Sequence, residues 1–192
     1  GIVQLAAGGN NTCVSDMGDV KCWGYGVDGM RGVGDTGALA AASSAITSFT
    51  SAVDLAMGSQ TTCAVNVTGA VYCWGVGGGG QMGDGNTPAG PYLSPLPTLI
   101  TGAGDFAIRV DVGANHVCAH LSTGNLKCWG GGVSGQLGNG AASNSNVPVS
   151  PSIGPVMGFA TGYNFTCARN TTGVACWGNN TMGQLGGGSN TP

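Results

Sequence analysis

The sequence predicts an all-β chain of four blade-like antiparallel β repeats of about 50 residues each, a partial or open β-propeller. Three observations predict it. Eight cysteines fall into four pairs at a regular interval, and every pair ends on Trp-Gly. Glycine occupies 39 of 192 positions, roughly three times the usual ~7% share, which favours many tight turns over long helices. No segment sustains the 3.6-residue apolar period of an amphipathic helix.

The pairs are Cys13/Cys22, Cys63/Cys73, Cys118/Cys128 and Cys167/Cys176, with first members 50, 55 and 49 residues apart. Trp23-Gly24, Trp74-Gly75, Trp129-Gly130 and Trp177-Gly178 close them. Glycine stands five places before each first cysteine, at Gly8, Gly58, Gly113 and Gly162. Apolar residues stand ten and eight places before it, as Val3/Leu5, Val53/Leu55, Ile108/Val110 and Met157/Phe159. "GQMG" (80–83) and "GQLG" (135–138 and 183–186) follow the tryptophans, with a degenerate "GMRG" at 29–32. One domain over 1–192 thus divides into repeats at about 1–50, 51–106, 107–155 and 156–192, the last truncated.

Within a unit, "VDLAMG" alternates as a half-buried strand does. "TTCAV" and "AVYCWG" flank the short turn "NVTG", a hairpin signal. A variable Gly/Ser/Pro-rich stretch leads to the next unit. Three or four short strands in about 50 residues suit a propeller blade.

The hairpin also defines the cysteine chemistry. With Met17-Gly18 at the centre of the first turn, Cys13 lies opposite Cys22 on the neighbouring strand. Directly opposed residues have Cα atoms about 4.5–5.5 Å apart, within disulfide reach. The expectation is four cross-strand disulfides, and so an oxidising compartment. Zinc prefers ligands two to four residues apart with further Cys or His nearby, a pattern absent here. A catalytic thiol needs a basic neighbour, and none recurs. The tryptophans read as blade core, and the glutamine of Gly-Gln-Leu-Gly as bonding backbone groups in a tight turn.

The pattern G-x4-C-(hairpin)-C-W-G-x4-G-Q-[LM]-G resembles the regulator-of-chromosome-condensation repeat family, in the cysteine-bearing form of secreted and cell-surface proteins. The resemblance spans essentially the whole chain. It implies a β-propeller; family members typically have seven blades. Four copies, the last without a counterpart of "NVPVSPSIGPV", imply an open ring that belongs to a longer chain or is covered by neighbouring subunits. The nucleotide-exchange activity of the nuclear family namesake is not implied, because that needs free thiols and a charged working face.

Composition excludes several partners. Five Lys/Arg and eight Asp, with no Glu, give a net charge of −3 from 7% charged residues. Without a basic patch, neither nucleic acid nor an anionic membrane surface is expected as a partner. No run of 18 apolar residues exists to insert into a membrane. The opening Gly1, with no signal-peptide pattern, reads as the start of a processed or excised piece.

No catalytic residue, metal site or cofactor is expected. His116 and His120 bracket Cys118 without a recurring serine or carboxylate. The aspartates are scattered; Asp54 and Asp111 occupy corresponding strands one register apart, not a catalytic pair. "VGGGGQMGDG" (76–85) lacks the Gly-Lys-Ser/Thr ending of a phosphate loop, and one aspartate does not make a calcium repeat.

Five N-glycosylation sequons occur, at Asn10, Asn66, Asn164, Asn170 and Asn179. Asn10 and Asn164 lie three residues before a first cysteine, and Asn66 and Asn170 three after one, at the hairpin turn. The pairs Ser94-Pro95 and Ser150-Pro151 resemble the O-glycosylated, hydroxyproline-rich segments of algal and plant extracellular proteins. Covalent glycans would also solubilise a surface this poor in charge. The expectation is a structural extracellular or cell-surface glycoprotein, a non-enzymatic subunit of a filament or coat that associates with itself or with neighbouring subunits. The alternative is a secreted binding module for a protein or carbohydrate, with Tyr25, Tyr92 and Phe49 as its candidate contact aromatics.

Overall fold

The computed structural model describes residues 2–16, 19–37, 39–86, 93–99 and 106–188. Among them every regular element is a strand. The first sheet runs β1 (Ile2–Gly8), β2 (Asn11–Asp16), β3 (Asp19–Tyr25), β4 (Leu39–Thr50). The second runs β5 (Ala52–Met57), β6 (Thr61–Asn66), β7 (Val71–Val76), β8 (Leu93–Leu99). The third runs β9 (Ala107–Val112), β10 (His116–Leu121), β11 (Leu126–Gly130), β12 (Ser145–Val149). The fourth has β13 (Gly158–Thr161), β14 (Phe165–Asn170) and β15 (Gly173–Gly178). Each is an antiparallel meander in chain order, one sheet to a repeat. The ring is not closed.

Register follows from the hairpins. Cys13 pairs with Cys22, Cys63 with Cys73, Cys118 with Cys128 and Cys167 with Cys176. All four pairs are disulfides, with Cα atoms 4.0–4.2 Å apart. The turn residues Met17 and Gly18 lie outside the described residues, although Asp16 and Asp19 on either side are paired.

The innermost strands β1, β5, β9 and β13 lie side by side in that order. The glycine five places before the cysteine sits at their closest approach. A Cβ on Gly8 would strike the Gly58 carbonyl, one on Gly58 that of Gly113, and one on Gly113 that of Gly162. Absence of a side chain is what lets consecutive sheets converge here.

The hydrophobic core lies between sheets. Leu55, Ala64 and Trp74 of the second sheet pack on the Cys13–Cys22 bridge, Val20 and Phe49 of the first. Val110, Ala119 and Trp129 repeat this on Cys63, Cys73 and Val71. Phe159, Ala168 and Trp177 do so on Cys118, Cys128 and Leu126. One face of a sheet therefore presents its disulfide forward, while the other presents its tryptophan backward. Trp74 and Trp129 are fully buried, whereas Trp23 and Trp177 are half-buried. The apolar positions ten places before the cysteine are not core, since Val53, Ile108 and Met157 are exposed.

Candidate functional site

Each seam between sheets is also a polar lock. The indole Nε1–H of Trp74 donates to the Met30 carbonyl at 2.8 Å, that of Trp129 to Gln81 at 2.9 Å, and that of Trp177 to Gln136 at 3.0 Å. In every case the acceptor is the second residue of the preceding Gly-Gln-Leu-Gly turn. The turn is built to present it. The backbone N–H of the last glycine donates to the first glycine's carbonyl, as Gly83 to Gly80 and Gly138 to Gly135 at 3.0 Å. The Gln81, Gln136 and Gln184 Oε1 atoms each accept from the N–H two residues earlier, at 2.7–2.9 Å. The last glycine is needed for two reasons. Gly138 has φ +67°, and a Cβ there would stand 2.6 Å from Trp177 Nε1. A buried indole N–H needs an acceptor, so each blade supplies one to its successor.

The degenerate first turn solves the same problem differently. Arg31 takes the place of Met82 and Leu137, and its buried guanidinium bonds Asp35 and the Gly37 carbonyl. Met30 still offers its carbonyl to Trp74, and Thr62 Oγ1 donates to the same oxygen at 3.3 Å.

His116, Asp54 and Asp111 belong to these seams. Thr166 Oγ1 spends its one proton on the Gln136 carbonyl at 3.0 Å, so it accepts from His116 Nε2–H at 2.9 Å. The opposite nitrogen, Nδ1, is buried without a partner. A second proton there would be unsatisfied, and burial lowers the His116 pKa to about 4. His120 donates through Nε2 to the Val156 carbonyl at 3.1 Å and meets Phe159 edge-on. Asp54 Oδ2 accepts from the Val110 N–H at 2.7 Å, and Asp111 Oδ2 from the Thr161 N–H at 2.8 Å. Both carboxylates thus tie one innermost strand to the next. Burial raises the Asp54 pKa above 3.8, against the bond from Val110. Among the described residues no group of three or more His, Cys or Asp could hold a metal.

The sequons divide by local geometry. Asn66, Asn170 and Asn179 each fold into the same small turn, in which Oδ1 accepts from the backbone N–H and the hydroxyl of the threonine two residues on. Those bonds measure 2.7–3.0 Å. Nδ2, the atom that carries an N-glycan, makes none of them. Asn10 is exposed between β1 and β2. Asn164 is half-buried, with Oδ1 buried and unpartnered. Of the proline segments, Ser150 is exposed and accepts from Lys127 Nζ at 3.1 Å, but Pro151 is buried. Ser94 is buried in β8 opposite Gly75, because the outer strand tucks against the blade. The Pro95 side chain lies outside the described residues.

The contact-aromatic expectation needs correction. Phe49 is core, packed edge-on against Tyr72 at 5.0 Å and against Trp74. Tyr25 is exposed, and Tyr92 lies outside the described residues. Tyr163 and Phe106 are exposed instead. The concave groups are shallow. One is lined by the glycines 77–80 with Asn86, Asn144 and Asn146, another by the stacked central glycines and Tyr163.

Disulfide-stapled antiparallel blades of three or four strands, locked tryptophan to turn, define a β-propeller array. Models of the regulator of chromosome condensation (RCC1) repeat match residues 68–120 and 123–169, and a second model of that repeat matches 52–81, 107–136 and 158–184. The chain belongs to the RCC1 repeat family. It is 31% identical over 151 residues to the ultraviolet-B receptor UVR8 of Arabidopsis thaliana, covering 77% of this chain and 33% of that protein. The human E3 ubiquitin-protein ligase HERC2 is 34% identical over 89 residues, covering 45% of this chain and 2% of HERC2. The fold matches Prp20p of Saccharomyces cerevisiae with a TM-score of 0.85 at 19% identity, covering 98% of this chain and 48% of Prp20p. Human WBSCR16 matches with a TM-score of 0.82 at 21% identity, over 98% and 50% respectively. The chain thus spans about half of these solved propellers. Four disulfides are consistent with an oxidising environment. No helix among the described residues is long and apolar enough to cross a membrane.

Proposed function

We infer that the chain is a non-catalytic, glycan-bearing scaffold of the extracellular or cell-surface space, and a subunit of a filament or coat. The observation that carries this reading is a disulfide in every blade with no cysteine left free among the described residues. Such a frame persists where thiols are not kept reduced. The repeated turn at Asn66, Asn170 and Asn179 supports N-glycosylation, since Oδ1 is engaged and Nδ2 is not. Scarce charge supports association with copies or neighbours.

The test is the intact mass of protein from its native source, with and without reductant and glycosidase. Eight protons gained on reduction and a mass loss on deglycosylation are expected. Free thiols and an unshifted mass would sink the reading.

A second reading, a propeller-type binding module, is favoured by family membership and by the groove that offers glycine backbone and three asparagines, Asn86, Asn144 and Asn146. Glycan-array binding abolished by Asn146→Ala would favour it over the scaffold.

A further inference from the structure

The Gly-Gln-Leu-Gly turn continues past its last glycine into a second, smaller loop. In the second blade that loop is Asp84-Gly85-Asn86, and in the third it is Asn139-Gly140-Ala141. The two share one backbone shape, with φ +83° at Gly85 and +81° at Gly140. The same hydrogen bond closes both. Asp84 Oδ1 accepts from the Asn86 N–H at 3.0 Å, and Asn139 Oδ1 from the Ala141 N–H at 3.2 Å. Asn139 is the one asparagine of the chain that glycine follows. Among the described residues neither the Gly140 N–H nor Asn139 Nδ2 has a hydrogen-bond partner. Gly140 is exposed, and nothing lies within 4 Å of where its Cβ would stand.

We propose that Asn139 is a self-modification site, at which the folded chain converts asparagine to aspartate and isoaspartate with water as the sole co-reactant. The Gly140 amide nitrogen attacks Asn139 Cγ and gives its proton to water. The N–Cγ bond forms, the Cγ–Nδ2 bond breaks, and Nδ2 takes up a proton and leaves as ammonia. Water then opens the resulting succinimide at either carbonyl. Opening at Cγ gives aspartate, and opening at the main-chain carbonyl leaves an isoaspartate whose backbone runs through Cβ and Cγ. Three features favour the first step. Glycine leaves the attacking nitrogen unshielded. That nitrogen has no bond to lose. The Ala141 N–H already lies on Oδ1, the oxygen that turns negative as Cγ is attacked, so the developing charge meets a placed donor. Asn66, Asn170 and Asn179 have the same closing bond. There, however, the next residue is Val67, Thr171 or Asn180, whose side chain crowds the nitrogen, and the Val67 N–H is also held by the Ser51 carbonyl at 3.0 Å. The aspartate product is accommodated, because Asp84 makes the same turn one blade earlier. Isoaspartate is not. It adds a main-chain carbon beside Gly138, whose carbonyl accepts from the Ser152 N–H at 2.7 Å and whose Cα faces Trp177. The reaction therefore records the age of the chain as a new negative charge next to the third seam.

This inference goes beyond the proposed function and makes no use of glycans or self-association. The test is incubation of the full chain, disulfides intact, at mildly acidic and mildly alkaline pH. Peptide mapping with electron-transfer fragmentation then locates each change and separates the two isomers. A gain of one dalton at Asn139, in both isomeric forms, is expected ahead of any gain at Asn66, Asn170 or Asn179. It is expected to run faster at the higher pH, because the Gly140 nitrogen must shed its proton. In the urea-unfolded chain, which lacks the bond from Ala141, it is expected to run no faster. Asn139→Asp is expected to keep the near-ultraviolet circular dichroism of the tryptophans and to show no gain at that position. An Asn139 that stays intact while other asparagines convert overturns the site. Faster conversion in urea than in the fold overturns the part given to the turn.

Discussion

The third and fourth blades carry the same motif in the same order, yet one is a core and the other an edge. Cys118–Cys128, Leu126 and Leu137 lie under the fourth sheet and are sealed from solvent. Among the described residues no sheet lies over Cys167–Cys176, Val174 and Leu185, and they are partly open. The first blade is the mirror case, with its disulfide buried but Leu5 and Trp23 uncovered. The lesson is that a blade of this type has no core of its own. Its apolar residues become core only when a neighbour is stacked on them, as in other repeat arrays.

The sharpest way to break this comparison is to remove a tryptophan from inside and from the end. Trp129→Ala is expected to cost ~3–5 kcal/mol, since it opens a cavity and strips the Gln81 carbonyl of its donor. Trp23→Ala, half-buried and unbonded in a single chain, is expected to cost about 1–2 kcal/mol. Urea titration measures both, and equal costs would refute the difference between inner and end seams.

Acid probes the inner seam alone. Unfolded His116 takes up a proton near pH 6.5, while the folded residue resists until about 4. The unfolded chain binds more protons in that window, so stability falls as pH drops through it, by roughly 3 kcal/mol in all. Asp54 acts in the opposite sense near its own raised value, favouring the folded state when protonated. His116→Phe, which copies Phe165 at the corresponding place in the fourth blade, should flatten the dependence between pH 6.5 and 4 in urea midpoints measured at successive pH values.

The disulfides sharpen the contrast kinetically. Each closes a loop of about ten residues and contributes roughly 2–3 kcal/mol. Under limiting reductant at low protein concentration, differential alkylation is expected to label Cys167 and Cys176 before Cys118 and Cys128, because a thiolate can reach a half-open bridge. Simultaneous labelling of both pairs would show that the fourth bridge is as protected as the third.

Glycine substitutions give the smallest separation. Gly138→Ala and Gly186→Ala both force a side chain into the left-handed region, at about 1 kcal/mol each. Gly138→Ala also strikes Trp177, so its urea midpoint should fall further than that of Gly186→Ala in the monomer. Ser51, with φ +62°, bears the same backbone strain without glycine's freedom, and Ser51→Gly is expected to raise stability by about 0.5–1 kcal/mol.

Much of this was legible in the chain because it repeats. A spacing of nine or ten residues around a turn is enough to oppose two cysteines, and four copies identify the blade. Gln81, Gln136 and Gln184 were readable as turn residues that bond backbone. The carbonyls of Gln81 and Gln136 were not readable as acceptors for a tryptophan about 45 residues on, since a main-chain oxygen leaves no trace in residue identity. The seam role of Asp54 and Asp111 was hidden because their partners are backbone N–H groups of the next blade. Phe49 looked like a loop aromatic, because only the stacking of the second sheet turns the end of β4 into core. Ser94 looked exposed for the same kind of reason, as a strand's outer edge is defined by what lies beside it.

Composition, period and cysteine spacing by themselves determined the all-β class, the four units, the opposed cysteine pairs and the scarcity of charge. These are local properties, set by turn length, strand alternation and residue type. Tertiary structure alone decided which disulfides are sealed, which tryptophans find an acceptor, and which faces a neighbouring sheet covers. Those depend on whether a second sheet is stacked against the first, and identical motifs acquire different burial from that one fact.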